Sequence, residues 1–123
     1  MKYENFEDLP IWQEVRQFIN EIYKLINNTS KIHKDFSLCD QLKRCSYSIL
    51  LNIAEGFERS SNKEFANFLN IAKGSAGELR CILYISLDNG YISKNEFNNY
   101  YEKVKNISTS IANFRKYLIR SYK

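Results

Sequence analysis

A chain of 123 residues carrying a net charge of +4, with four glycines and one proline, is long enough for one hydrophobic core without metals or disulfides to hold it. Three cysteines, Cys39, Cys45 and Cys81, form no CxxC pair and are odd in number, which excludes a disulfide framework and reads as reduced, core-like thiols. The opening MKYENFEDLP has no apolar signal core and no segment approaches the ~20 apolar residues of a membrane helix, so the expectation is a soluble, cytoplasmic protein.

The few glycine and proline breaks divide the chain into four helical blocks. Asp8 is placed to cap a first helix over about residues 9–27, with Pro10 at its first position and Trp12, Val15, Ile19, Ile22 and Ile26 at three- and four-residue spacing. Residues 28–35 are polar and aperiodic and read as a connection. Leu38, Leu42, Cys45, Ile49 and Ile53 mark a second helix, about 37–58, fraying near Gly56 to Arg59. Ser61 with Glu64 makes a capping-box pattern for a third helix, about 62–89, whose face is Phe65, Phe68, Leu69, Ala72, Ala76, Leu79 and Leu83, and Gly90 ends it. Ser93 with Glu96 repeats that pattern before a fourth helix, about 94–120, carrying Phe97, Tyr100, Val104, Ile107, Ile111, Phe114 and Leu118. Short connections make sequential helices antiparallel neighbours. The expected fold is therefore all-α, a single up-down-up-down antiparallel four-helix bundle over residues 1–123, without repeats or low-complexity tracts.

Two helices carry more than one kind of face. At 100° per residue, Gln41, Arg44, Ser48, Asn52, Glu55 and Arg59 form one polar stripe on the second helix. The plainer account is a structural network in which Glu55 neutralises Arg44 or Arg59; the sharper one, an active site, lacks any nucleophile and base pair beside it. Leu50 and Leu51, added to Ile49, Ile53 and Ala54, widen the apolar arc beyond what one core needs, which implies a second buried contact such as another subunit. On the third helix Gly74, Gly77 and Cys81 lie opposite the core face. Two interior glycines cost about 1 kcal/mol each against alanine, so a close helix approach or a kink is expected there, a tolerated bend being the alternative.

The segments FEDLPIWQ (Phe6 to Gln13), QLKRCSYSILLNIAEGFER (Gln41 to Arg59) and FANFLNIAKGSAGEL (Phe65 to Leu79) resemble the small bacterial four-helix-bundle family that includes the 23S ribosomal RNA intervening sequence proteins. The resemblance covers most of the first three helices; the fourth matches only in character. It implies a four-helix protomer assembling as a ring-like homopentamer. It also implies kinship with the accessory variability determinant of diversity-generating retroelements, a basic pentamer that binds nucleic acid and partners a reverse transcriptase. For most members the function is undetermined. The chain departs from the family pattern at Ile32-His33-Lys34-Asp35, where Phe-Pro followed by acidic residues is common.

The charge is unevenly placed. Residues 94–123 hold seven basic side chains against Glu96 and Glu102, a net +5 beside +4 for the whole chain. Lys94, Lys105, Lys116, Arg120 and Lys123 share one helical face, a strip that could meet the phosphates of RNA or DNA by counterion release, or else serve only solubility. No recognition-helix or RNP motif is present, so any binding would be weakly sequence-specific. Tyr84, Tyr91, Tyr100, Tyr101, Tyr117 and Tyr122 gather in the second half, where packing and interface area are the expected use and base stacking the lesser one.

Four-helix bundles often house a di-iron site of Glu and Glu-x-x-His pairs. Here His33 is the only histidine and lies in the first connection, and neither Glu55 nor Glu78 has a histidine three residues on. The expectation is no metal, no cofactor and no enzyme. Two function classes remain: an oligomeric scaffold that binds nucleic acid weakly and docks a nucleic-acid-processing protein, or a protein-interaction module with no nucleic acid.

Overall fold

The computed structural model describes residues 2–121. A 3-10 turn at Phe6–Asp8 leads into α1 (Pro10–Asn28), a short α2 (Ser30–Lys34), and the long helices α3 (Phe36–Phe57), α4 (Asn62–Asp88) and α5 (Lys94–Ser121). The described residues contain no strand, so the all-α class holds.

The helix starts depart from expectation in two places. Asp8 does not cap α1: it sits in the 3-10 turn, and the position before Pro10 belongs to Leu9, whose side chain makes no capping bond and is fully buried. Burying a leucine is worth about 1.5–3 kcal/mol, more than a cap supplies, so the turn delivers Leu9 to the core and leaves Asp8 exposed. The second departure is the supposed connection at 28–35, which contains α2. Ile32 is its one buried residue, at 0% exposure, and single extended residues, Thr29 and Asp35, separate α2 from its neighbours.

The sequence reading lacks a cap for α3 at Asp35, while the signals at Ser61, Ser93 and Gly90 act as read. Asp35 caps α3 through Leu38 N–H at 3.1 Å. Ser61 Oγ accepts from Glu64 N at 3.1 Å to start α4. At α5 the box is reciprocal: Glu96 N donates to Ser93 Oγ at 3.1 Å and Ser93 N donates to Glu96 Oε1 at 2.9 Å. Gly90, at φ 71°, ends α4 with two back-bonds, Gly90 N to Leu87 O and Tyr91 N to Ser86 O, the pairing of a left-handed helix stop.

Helix α3 stops at Phe57, within the Gly56 to Arg59 stretch where fraying is expected, and Gly56 itself keeps a helical place. It lies inside α3, buried, where a Cβ would stand 2.7 Å from Phe65 Cδ1 and 2.8 Å from Phe68 Cβ. With Ser48 against Ser75, and Leu38 and Gln41 sharing a groove with Ile82 and Ile85, α3 and α4 run antiparallel. So do α4 and α5, which meet at Ala66 with Arg115 and at Tyr84 with Phe97. Helix α1 packs mainly on α3 and more sparsely on α5, where Lys103 Nζ donates to Glu21 Oε1 at 2.9 Å. One apolar cluster, including Val15, Ile22, Ile49, Ile53, Leu79, Leu83, Ile107 and Ile111, fills the space between the helices. Trp12, Tyr100 and Phe114 border it half-buried. Among the described residues no helix is long and apolar enough to cross a membrane.

Candidate nucleic-acid interface

Lys94, Lys105, Lys116 and Arg120 are all exposed on α5, and 1.5 Å per residue spreads them over about 39 Å. Lys123 lies outside the described residues. Two other basic residues of α5 hold the helix in place instead: Lys103 pairs with Glu21, and Arg115 Nε donates to Ala66 O at 3.1 Å.

Helix α4 adds to the strip in a way that charge along the chain does not reveal. Ala66, Lys73, Gly77, Arg80 and Tyr84 recur at helical spacing and so share one flank of α4. Both ends of that flank touch α5, Ala66 through Arg115 and Tyr84 through Phe97 and Tyr101. Lys73, exposed, and Arg80, half-buried, therefore lie along the same border. The ion pairs among the described residues join Arg44 to Asp40, Arg59 to Glu55 and Lys103 to Glu21. None of them neutralises Lys73, Arg80, Lys94, Lys105, Lys116 or Arg120.

An aromatic group sits within this basic border. Phe97 is buried, Tyr101 stacks on it at 5.2 Å between centroids and 28°, and Tyr84 stands 4.8 Å from Phe97 and 5.6 Å from Tyr101. The Lys94 ammonium lies 5.2 Å from the Phe97 ring centroid. Tyr84 is 48% exposed. Its phenol is held above the usual tyrosine pKa, first by hydrogen bonding with the Tyr101 hydroxyl, with Arg80 pulling weakly the other way.

The polar stripe of α3 divides into separate pieces. Arg44 pairs with Asp40 at 2.8 Å and Glu55 with Arg59 at 2.5 Å, each exposed and one turn apart, contacts worth a few tenths of a kcal/mol. Asn52 Nδ2 donates to Ser48 O at 2.7 Å and to Ser48 Oγ at 3.1 Å, and Ser48 Oγ meets Ser75 Oγ at 2.7 Å. That serine pair is the polar bridge from α3 to α4. Gln41 lines the groove above it with Arg44, Cys45 and Glu78. Burial, with a smaller contribution from Glu78, pushes the Cys45 thiol up to about 11, which leaves it protonated and inert near neutrality. Among the described residues no three His, Cys, Asp or Glu side chains come together as a metal site.

The residues expected at a subunit contact are not all alike. Leu51 is 64% exposed, whereas Leu50 is half-buried and packs against the core. Gly74 faces open space and Cys81 is exposed. A Cβ at Gly77 would stand 3.8 Å from the Arg80 guanidinium, so this glycine borders the basic flank. No neighbouring helix of the chain approaches either glycine. Ile71 and Ile85, 52% and 50% exposed, share the Gly74 and Cys81 flank by spacing, and sequence reading passed over both. Extending the Gly74 and Cys81 face by one turn in each direction would have found them.

No curated protein matches the chain. Its fold is similar to that of a crystal structure from Bacteroides thetaiotaomicron, described as a protein with unknown function from the S23 ribosomal protein family. The TM-score is 0.79 at 24% identity, covering 86% of this chain and 98% of that one. The family model for the 23S rRNA-intervening sequence protein matches residues 7–113. With that model covering α1, α3 and α4 whole and α5 as far as residue 113, the chain belongs to the 23S rRNA-intervening sequence protein family.

Proposed function

We propose that the chain is a non-enzymatic scaffold of the cytoplasm, an up-down-up-down antiparallel four-helix bundle that self-associates and binds RNA or DNA through basic surface summed over its copies. The observation that carries this reading is the border of α4 and α5, where Lys73, Arg80, Lys94, Lys105, Lys116 and Arg120 line up without ion-pair partners among the described residues. Side chains so arranged bind phosphates by releasing counterions, and several copies in one assembly multiply a weak footprint into a useful one. The exposed Leu51 of α3, with Ile71 and Ile85 on the other side of α4, supports self-association, and the family resemblance makes a homopentamer the expected assembly. A nucleic-acid-processing protein is the partner such a scaffold would bring to its strand.

Binding to structured RNA and duplex DNA, titrated with salt, tests the reading. The expected result is binding at low ionic strength that weakens steeply as salt rises, with little dependence on sequence. Absence of binding at low salt would end it. A pure protein-interaction module is the second reading, favoured by the exposed apolar side chains Leu51 of α3 and Ile71 and Ile85 of α4; in that case light scattering detects the assembly while no nucleic acid binds.

A further inference from the structure

We infer that Tyr84 and Tyr101 form a stacking platform for an unpaired base, so that the basic border of α4 and α5 takes single-stranded nucleic acid in preference to a duplex. This rests on the nucleic-acid reading above and specifies its ligand.

Three features of the border point the same way. The aromatic group has a buried foundation and an accessible top: Phe97 is 4% exposed, Tyr101 stacks on it, and Tyr84 is 48% exposed. A core contact accounts for Phe97 but not for a tyrosine left half in solvent beside it. Cations also flank the rings along both helices. On α4, Arg80 stands one turn before Tyr84; on α5, Lys94 and Lys105 stand on either side of Tyr101, Lys105 one turn beyond it. A strand lying along the border would thus meet charge, ring and charge again within about 17 Å of helix, from Lys94 to Lys105. Cations outnumber carboxylates there: exposed Asp88 stands one turn beyond Tyr84 and exposed Glu102 beside Tyr101, against Lys73, Arg80, Lys94, Lys105, Lys116 and Arg120, and Glu96 is engaged by Ser93 N–H. The net positive charge is complementary to a phosphate backbone.

A duplex uses only half of such a surface. Its bases are stacked on each other, so the border would see phosphates and sugars and the tyrosines would gain nothing. A single strand offers free base faces, and an aromatic ring stacks on any of them, which gives affinity without sequence preference. The absence of a base-reading motif fits this mode.

Fluorescence anisotropy with the full-length protein tests the platform. The probes are a labelled single-stranded oligonucleotide, the same sequence as a duplex, and a strand of equal length and charge with its central bases removed. The expected order is intact strand first, with the duplex and the abasic strand each weaker by about tenfold or more. Tyr84→Ala should weaken intact-strand binding by a similar factor and leave duplex binding unchanged, while Tyr84→Phe, which keeps the ring, retains strand binding. Lys105→Glu with Lys116→Glu should weaken all three probes. Circular dichroism confirms that each variant keeps its helices. Equal affinity for all three probes, a silent Tyr84→Ala, or a loss on Tyr84→Ala that is the same for strand and duplex would overturn the platform while leaving the basic surface standing. No binding of any probe by the unmodified protein would overturn both.

Discussion

The Tyr91 hydroxyl donates to Asp35 Oδ2 at 2.9 Å, while Oδ1 of the same carboxylate accepts Leu38 N–H at 3.1 Å. One side chain thus starts α3 and clasps the turn between α4 and α5 to it, across 56 residues of sequence. Asp35→Ala is expected to cost about 1–2 kcal/mol as a lost cap and more for the lost bond to Tyr91. Tyr91→Phe should cost only the second part. Urea unfolding of both single variants and the double variant checks this, and fully additive losses would deny the clasp.

Alkaline pH should weaken the fold. Tyr91 is raised above its ordinary pKa by its bond to Asp35 and by burial, and Tyr100 by burial and then by Glu21 and Glu96. Cys45 is raised from 9.0 to about 11, mainly by burial. Groups whose folded pKa lies above the unfolded value contribute stability that is complete below the unfolded pKa and disappears as pH rises through the folded one. Melting temperature is therefore expected to hold to about pH 9 and fall toward pH 11. At pH 8 a maleimide should label the exposed Cys81 and spare Cys45 in the folded protein.

The glycines of α3 and α4 should respond oppositely to alanine. Gly56→Ala forces a methyl into Phe65 and Phe68 and is expected to destabilise by about 1–3 kcal/mol. Gly74→Ala meets open space and should stabilise the protomer by up to about 1 kcal/mol through helix propensity. Denaturant melts at concentrations where the protein is monomeric read both values. A destabilising Gly74→Ala would mean that something in the protomer occupies that space.

Leu51→Asp places a charge on the exposed apolar face of α3. If this face joins copies of the chain, the variant falls to protomer mass in light scattering while its circular dichroism stays helical. Retention of the native mass would assign the contact elsewhere.

What could be read from the residues depended on how many turns repeated a pattern. The four long helices are legible because their apolar positions recur over several turns each. In α2 a single apolar residue, Ile32, stands among Lys31, His33 and Lys34, and one turn has no period to detect. Asp8 has the right chemistry for a cap, but the burial of Leu9 decides the start of α1, and burial is a tertiary fact. The α5 cations are legible because they lie on one helix. Lys73 and Arg80 join them only through the packing of Ala66 and Tyr84 against α5, which no spacing rule supplies. The polar stripe of α3 misleads for a related reason: its members share a face yet bond to different partners.

The notch at Gly56 has a consequence for how the chain reaches this state. It lies beside the connection at 58–61, so the pairing of α3 with α4 brings together residues close in sequence and closes a short loop at small entropic cost. Those two helices are expected to associate early, with α1 docking afterwards on the surface they present. Stopped-flow kinetics should then find that Gly56→Ala slows refolding, whereas Val15→Ala, in α1, mainly speeds unfolding. An unchanged refolding rate for Gly56→Ala would place the nucleus elsewhere. A residue without a side chain would in this way set the pace at which the whole molecule forms.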